Sequence, residues 1–425
     1  MMQKAVADAS TADASTADPS SIDDTPTMRP PQAVTMFPVL IALSFCHLLN
    51  DMMQSMISAL YPMFKRDFNL DYAQVGVIAL TFQLTAALLQ PVVGMVTDKR
   101  PMPFSIATGM GSTLIGLLLL SVAHNYSVVL LAAALVGIGS AVFHPESSRV
   151  ARVASGGRYG MAQSLFQVGG NAGGAIGPLI ATYFILTNGQ SSVAWVSLAA
   201  MLGMLVLTRV GFWYRNNIPN TPLRARATAA GGVELSREKV IFAIVILAAL
   251  TFSKNVYTAS IGSYLTFYFI DRFAMSVADA TFHLFIFSAA VAAGTLLGGP
   301  LTDRIGRKAT MWISILGVLP FTLALPYADL FMSDVLLVII GMLMASAFPA
   351  IMVYAQELVP GRVGMIAGIF FGFAFGLGGV GAAVMGWIAD ATSITFVYKI
   401  ASFLPAIGLL TALLPDLAAG RTTSR

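Results

Sequence analysis

The sequence predicts an all-α membrane protein with twelve transmembrane helices, arranged as two six-helix halves. Of its 425 residues, 57% are hydrophobic and 10% are charged, whereas soluble domains carry about 25% charged residues. A helix needs about 20 apolar residues to cross the roughly 30 Å hydrocarbon layer. Long unbroken apolar runs favour such helices over the alternating strands of a membrane barrel. Twelve apolar stretches have this length: 37–64, 73–96, 103–123, 127–148, 159–187, 192–213, 239–270, 278–300, 308–328, 332–355, 362–390 and 395–415.

Two motifs occur twice in the chain, about two hundred residues apart. The turn that starts at Gly94 and contains Asp98 recurs from Gly299, with Asp303 in the same place. The motif Gly-Arg-x-Gly-Met starts at residue 157 in the first half and at residue 361 in the second. Internal repeats of this kind are typical of transporter folds, so we expect equivalent positions in the two halves to be comparable.

The repeat and the composition divide the chain into five segments. The N-terminal segment is rich in Asp, Ser, Thr and Ala, which bury too little apolar surface to fold, so we expect it to be disordered. The segments are a tail at 1–35, a first bundle at 36–213, a cytoplasmic linker at 214–238, a second bundle at 239–415 and a tail at 416–425.

Lys and Arg concentrate in the turns that follow even-numbered spans and in the linker. Because cytoplasmic loops retain basic residues, this pattern predicts that both termini are cytoplasmic. The net charge of +4 then reflects topology, and we expect no nucleic-acid partner. The single cysteine, Cys46, lies in the first span, so no intrachain disulfide is expected.

Asp51 is the one acid well inside a predicted span, 14 residues from its start and hence roughly 21 Å along the helix. A charge near the bilayer centre costs upward of about 2.5 kcal/mol. His47, Asn50 and Gln54 share its helix face. We expect Asp51, with His47, to carry a coupling proton, because a carboxyl group removed from water binds a proton more readily. A permanently charged structural pair is the alternative.

A polar stripe on the fifth span is a candidate substrate surface. It consists of Gln163, Gln167 and Asn171 at i, i+4 and i+8 on an otherwise apolar helix. We expect these amides, with Asn50 and Gln54, to contact the transported molecule. Hydrogen bonding between helices is the alternative for each amide.

The motif Gly-x-x-x-Asp-Arg-x-Gly-Arg-Lys at 299–308, on a six-plus-six helical repeat, resembles the major facilitator superfamily. The Phe-Cys-His-Leu-Leu-Asn-Asp run of span one, the Phe-His-Pro-Glu of span four and the glycine-rich stretch at 167–178 are similar to its fosmidomycin resistance branch. The resemblance implies a bacterial inner-membrane exporter of drugs or anionic metabolites, driven by protons and working by alternating access.

The two turn acids, Asp98 and Asp303, are predicted to be gating residues. Each can pair with basic residues such as Arg304 and Arg307, or meet the positive N-terminus of a neighbouring helix. Such a contact would stabilise one of two rocking states, and we expect its loss to shift the population toward inward-closed or mixed states. The alternative is topological anchoring by the basic residues alone.

Lys254 is the only basic residue deep within the second half, beside Asn255 in span seven. Alignment of residues 42–47 with 249–254 places it at the position of His47. The resemblance implies that spans one and seven face one another across a central cavity. We therefore expect Lys254 either to neutralise Asp51 or to bind an anionic substrate group, with Asn255 beside it; purely structural pairing is the alternative.

His144 and Glu146 lie toward the cytoplasmic end of span four, and we expect them to act as a gate or charge relay. A plain i,i+3 ion pair between Glu146 and Arg149 is the alternative. The segment is not His-Glu-x-x-His, so the sequence predicts no zinc site. No cofactor is expected.

An exporter explains the repeat, the turn motifs and the buried charges together. A proton-coupled importer of a small organic anion is the alternative within transport. A membrane enzyme would need a nucleophile or metal constellation, and a sensor would need an added soluble domain; the sequence offers neither. The expected partners are a small, anionic substrate, protons and the lipid bilayer, with a monomer as the functional unit.

Overall fold

The computed structural model describes residues 34–218 and 235–417. All regular secondary structure within these ranges is helical. Almost all of the predicted N-terminal tail, most of the predicted linker and most of the C-terminal tail lie outside the described residues, at 1–33, 219–234 and 418–425.

Six helical segments form the first half, with a short helix, Tyr61–Asp67, between the first two. Helix α5 continues into a π-helical turn, Ala181–Ile185, which begins three residues after Pro178, a residue that cannot donate a backbone hydrogen bond. The six segments are α1 Phe37–Ala59, α2 Tyr72–Lys99, α3 Ser105–Ser121, α4 Tyr126–Ala154, α5 Tyr159–Ile180 and α6 Val193–Asn217.

Six further segments form the second half. Helix α9 is interrupted by a π-helical stretch, α10 is broken at Ser346, and α12 continues as a 3₁₀-helix over Leu404–Leu413. The segments are α7 Arg237–Phe273, α8 Val277–Ile305, α9 Arg307–Tyr327, α10 Leu330–Leu358, α11 Val363–Ala391 and α12 Ile394–Ala401.

Among the described residues, nine helical segments are long and apolar enough to cross a membrane. The other three predicted stretches fall on α3, α5 and α11. Helix α3 has 17 residues, and α5 carries the three amides of the polar stripe. The all-helical prediction is confirmed, and the count of twelve spans stays a prediction.

Half of the twelve helical segments begin where a polar side chain accepts a hydrogen bond from the first turn, as N-terminal caps require. The capping residues are Asp71, Asn125, Ser236, Ser276, Asp329 and Ser393. Helices α5 and α11 have no such cap of their own. Their first backbone N–H groups must therefore find acceptors elsewhere.

The two halves meet mainly along two equivalent helix pairs, α2 with α11 and α5 with α8. Glycines permit these approaches. A Cβ atom on Gly94 would overlap the backbone of Gly364, and one on Gly160 would lie 2.8 Å from the carbonyl oxygen of Gly299. Both contacts lie at the end of the bundle that carries the basic turns, which is therefore the closed end.

Candidate functional site

Asp51 lies between two histidines from different helices. His47, one turn earlier on α1, places Nε2 3.3 Å from Asp51 Oδ2. His144 of α4 places Nε2 3.4 Å from Asp51 Oδ1. Both histidines are fully buried, whereas the Asp51 side chain keeps 15% exposure. We call these three residues the Asp51 cluster. They are three ionisable side chains in contact inside an apolar bundle.

Amides and a hydroxyl surround the Asp51 cluster. Asn50 donates from Nδ2 to Asp51 Oδ1 at 3.0 Å. Ser140 donates to Gln54 Oε1 at 3.0 Å and lies 3.3 Å from Nδ1 of His144. Asn50 and Gln54 thus lie beside the cluster, and their role as substrate contacts stays a prediction. His144, expected at a gate, belongs with Asp51 and not with its near neighbour in sequence, Glu146.

The Asp51 cluster is also the one group among the described residues with the donor types and proximity of a metal site. Its three ligand atoms lie within 4.8 Å of one another. The sequence predicts no metal, because the ligands come from two helices and form no linear motif. The two imidazole Nε2 atoms face different oxygens of the carboxylate, at 3.3 and 3.4 Å, so each can share a proton with an oxygen of its own. We therefore treat the cluster as a proton site.

Lys254 of α7 does not pair with Asp51 in this structure. Its Nζ lies 3.5 Å from Asn255 Oδ1 and 5.8 Å from the centre of the Phe348 ring. Among the described residues, no carboxylate lies within ion-pair distance of Lys254. The expected Asp51–Lys254 pair is thus wrong for this conformation, and the lysine charge has no acidic partner in the part of the chain described.

The repeat explains this difference between the halves. Lys254 is the repeat mate of His47, and the same alignment places Thr258 opposite Asp51. The Thr258 hydroxyl donates to the Lys254 carbonyl oxygen at 2.8 Å. The second half has therefore kept a cationic group and replaced the acid that would neutralise it.

Aromatic rings lie between the Asp51 cluster and Lys254. His144 packs against Phe371 of α11 with ring centres 5.0 Å apart, and Phe371 packs against Phe348 of α10 at 5.1 Å. Lys254 lies over the far side of this pair. Phe348 is the repeat mate of His144, so equivalent positions in the two halves contribute to one connected group.

The polar stripe of α5 is divided between two roles. Gln163 is buried and accepts a hydrogen bond from Ser148 at 2.9 Å, near the closed end, so it is a contact within the bundle. Asn171 accepts a hydrogen bond from Gln167 at 3.3 Å and donates one to Thr295 of α8 at 3.1 Å. The inter-helix alternative therefore describes Gln163 and Asn171. Gln167 Oε1 and Asn255 Nδ2 remain without hydrogen-bond partners among the described atoms.

Asp98 and Asp303 cap α11 and α5, two of the helices that lack caps of their own. Asp303 accepts from the backbone N–H groups of Gly160 and Met161, at 2.8 and 2.9 Å. Asp98 accepts from Gly364 and Met365, at 2.9 and 2.8 Å. Each acid thus binds the N-terminus of a helix in the other half, which is one of the two contacts the sequence predicts.

These caps hold the closed end together, so the expected direction of the conformational shift was wrong. Loss of either acid removes a contact of the closed state and must favour opening at that end. The neighbouring basic residues act separately. Arg304 is exposed, whereas Arg307 donates to Glu357 at 3.0 Å and joins the start of α9 to the end of α10.

Glu146 joins three helices of the first half below the Asp98 cap. It pairs with Arg149 at 2.5 Å and accepts from Ser105 of α3 at 3.2 Å. Arg149 also donates to the carbonyl oxygen of Thr97, the residue before Asp98. The predicted i,i+3 pair is present, and it additionally fixes the end of α2 that carries the cap.

A second cross-half connection was missed by sequence reasoning. Arg152 donates to Gln356 Oε1 at 3.2 Å, and Gln356 donates to Ser148 at 3.0 Å, which in turn donates to Gln163. Arg152 and Gln356 are 204 residues apart, the offset of the Gly-Arg-x-Gly-Met repeat. Repeat mates that touch must lie on the axis relating the halves, so the alignment contained the signal.

The fold and the site together define a multi-pass helical membrane protein whose two equivalent halves close on each other at one end. The sequence pattern of the Major Facilitator Superfamily matches residues 43–382. The chain belongs to this superfamily and is a membrane transporter of that class.

Relatives and solved structures agree with this placement. The chain is 57% identical over 385 residues to the Fosmidomycin resistance protein of Escherichia coli (strain K12), covering 91% of this chain and 94% of that one. It is 37% identical over 384 residues to the uncharacterized MFS-type transporter YfnC of Bacillus subtilis (strain 168), covering 90% and 94%. The predicted resemblance is confirmed.

Two solved structures share the fold. The MFS transporter FucP in the outward conformation matches with a TM-score of 0.71 at 17% identity, over 90% of this chain and 99% of that one. The proton:xylose symporter XylE matches with a TM-score of 0.71 at 13% identity, over 92% and 98%. At these identities the similarity supports the fold alone.

Proposed function

We propose that this protein exports a small anionic molecule across the bacterial inner membrane in exchange for protons, by alternating access. In this proposal the chain spans the membrane twelve times, both termini are cytoplasmic and the monomer is the functional unit. The closed end is then the cytoplasmic end, because it carries the basic turns.

The observation that carries the proposal is the Asp51 cluster. A carboxylate with two imidazoles in the middle of an apolar bundle is expensive to keep, and such groups in transporters mark proton relays. Asp51 is the member of the cluster with a partly exposed side chain, at 15%, so proton exchange would occur through it. No Lys or Arg among the described residues forms an ion pair with Asp51, so a permanent structural salt bridge to a strong base is not its role.

Lys254 supports an anionic substrate. It lies 17 residues into α7, roughly 26 Å along the helix, and no acid in the described part of the chain compensates it. Asn255 and Gln167 offer unpaired amide atoms of both kinds. The name of the Escherichia coli relative points to a phosphonate drug, whose oxyanion would suit a lysine contact.

Alternating access is supported by the equivalent caps at the closed end. The two carboxylates can separate from the four backbone N–H groups that they bind, because all of these hydrogen bonds run between the halves. No hydrogen bond within either half has to break. When they part, each carboxylate and each helix end regains water. The caps are thus replaceable contacts between the halves, of the kind that a rocking mechanism requires.

A proton-coupled importer remains the second candidate, and one observation favours it. A protonated Asp51 cluster carries more positive charge than a deprotonated one. The rings of Phe371 and Phe348 connect this cluster to Lys254. Such charge attracts an anion, so electrostatics alone would make protons and anion bind together, which is co-transport. Export instead requires that the two occupy the protein alternately.

Vesicle orientation decides between these directions. In everted vesicles with the more acidic solution inside, an exporter accumulates fosmidomycin. Right-side-out vesicles accumulate it only if the protein is an importer. Asp51→Asn should abolish gradient-driven transport in both, because the uncharged amide removes the negative partner with which the cluster binds protons, while substrate binding measured by calorimetry persists. Asp390→Asn, at an exposed acid of α11, is the control. Gradient-driven transport retained by Asp51→Asn would refute the proton role.

A further inference from the structure

We infer that the Asp51 cluster holds two exchangeable protons, one in each imidazole–carboxylate contact, so that two protons move for each substrate molecule. His144 is then a second proton-binding residue and not a gate. This inference rests on the proposed proton coupling and adds the number of protons and the atoms that hold them. It follows from which of the two nitrogens carries the hydrogen in each neutral imidazole.

The tautomer of His47 is fixed by a backbone carbonyl. Its Nδ1 lies 2.8 Å from the carbonyl oxygen of Phe166 in α5. A carbonyl oxygen only accepts hydrogen bonds, so Nδ1 must carry a hydrogen. The ring is held in place by stacking on Phe166, with centres 4.0 Å apart. In the neutral ring Nε2 then has a lone pair, and it faces Asp51 Oδ2.

His144 is fixed in the same way. Its Nδ1 lies 3.0 Å from the carbonyl oxygen of Ser140. The Ser140 hydroxyl hydrogen is committed to Gln54 Oε1, so the hydroxyl oxygen can only accept from His144. Nδ1 therefore carries the hydrogen here too, and Nε2 is the atom that faces Asp51 Oδ1.

The proton count follows from these two contacts. With both rings neutral and Asp51 ionised, a nitrogen lone pair faces a negative oxygen on each side, and neither contact has a hydrogen to share. One added proton completes one hydrogen bond; two complete both. Asn50 donates to Asp51 Oδ1, which favours the carboxylate form, so the added protons reside on the imidazoles. The cluster charge changes from −1 to +1.

Within the part of the chain that the structure describes, neighbouring elements bring no other charge to the cluster. Helix α5 offers carbonyls and amides, α11 offers Phe371, and α6 meets α1 at Gly203, opposite the Cys46 thiol. The nearest cation on α4, Arg149, is engaged by Glu146 and Thr97. The two protons therefore enter a site whose charge is set by its own three members.

The number of coupled protons can be measured as the substrate concentration ratio that just balances a known proton concentration ratio across the membrane. Proteoliposomes containing the full chain are clamped at zero membrane potential, with a chelator on both sides so that metal binding makes no contribution. Fosmidomycin is the probe, and the titration of its phosphonate is subtracted using the pH on each side. Two coupled protons balance a roughly hundredfold substrate ratio against a tenfold proton ratio, and one coupled proton balances only about tenfold.

We expect the hundredfold ratio for the wild type and the tenfold ratio for His144→Gln. His144→Phe, which copies the repeat mate Phe348 and keeps the packing on Phe371, provides a second variant with the same expectation. A wild-type ratio of about tenfold that His144→Gln leaves unchanged would overturn the two-proton inference while leaving proton coupling intact. A wild-type substrate ratio that does not respond to the proton gradient would instead overturn the proposed function.

Discussion

Removal of Asp303 should open the closed end by an amount that the contacts themselves define. Asp303 accepts two hydrogen bonds, at 2.8 and 2.9 Å, from the first turn of α5. N-terminal caps contribute about 0.5 to 2 kcal/mol, and a charge at a helix N-terminus adds about 0.3 to 1 kcal/mol. Because these contacts exist only in the closed state, Asp303→Ala should shift the equilibrium by about 2 kcal/mol, roughly 30-fold.

Asp98→Ala should have the same effect through α11. The two caps share no partner, so their effects should add, and the double variant should shift the equilibrium by about 4 kcal/mol, roughly a thousandfold. Asp303→Asn should shift the equilibrium less than Asp303→Ala does, because the amide oxygen still accepts one hydrogen bond whereas its NH₂ group faces a donor.

Thiol labelling measures this shift. Ser164 of α5 is 1% exposed and lies against Gly299 of α8, so a cysteine there is shielded only while the end is closed. In a Cys46→Ser background, labelling of Ser164→Cys by an impermeant maleimide in everted vesicles should accelerate by about the predicted factor. Asp390→Ala is the control. A rate that Asp303→Ala leaves unchanged or lowers would show that the acid is only a topological anchor.

Two further predictions concern the substrate cation and the close helix contact. Lys254→Gln should weaken phosphonate binding by roughly 10- to 100-fold, since hydrogen bonds to charged groups contribute about 1.5 to 3 kcal/mol. Calorimetry measures this loss, with Lys254→Arg retaining the charge as control; unchanged affinity would remove Lys254 from the substrate site. Gly94→Ala should abolish closure and transport but retain binding, because the methyl group meets the Gly364 backbone, whereas Gly76→Ala on the same helix meets nothing within 4 Å and should transport normally. Equal transport by the two glycine variants would contradict this account.

The sequence predicted well those features that follow from periodicity or from the repeat. The helical architecture, the polar face of α1 and the meeting of the turn acids with helix N-termini all required only spacing and hydrophobicity. The acids were predictable because each ends its span one turn after a glycine that permits close helix approach, where a carboxylate can meet the positive N-terminus of a neighbouring helix.

Partners on other helices were harder to predict, because periodicity sorts residues around one helix and does not fix which neighbour they face. His144 was therefore assigned to Glu146, its neighbour in sequence, although ten residues of α4 separate it from the end of the helix. Lys254 was assigned to Asp51 because the resemblance implies that spans one and seven face one another. The alignment also shows that Thr258 replaces the acid one turn from Lys254 in the second half.

The reciprocal caps have a consequence for the ancestry of the chain. In a twofold-symmetric dimer, a residue of one subunit contacts a patch on the other, and the same residue of the partner contacts the same patch in return. Asp98 with Gly364 and Met365, and Asp303 with Gly160 and Met161, obey this rule between two halves of one polypeptide. The closed end thus has the symmetry that duplication and fusion of the subunit of a homodimer would leave. Each copy of the contact can now diverge independently, so one can be tuned while the other maintains closure.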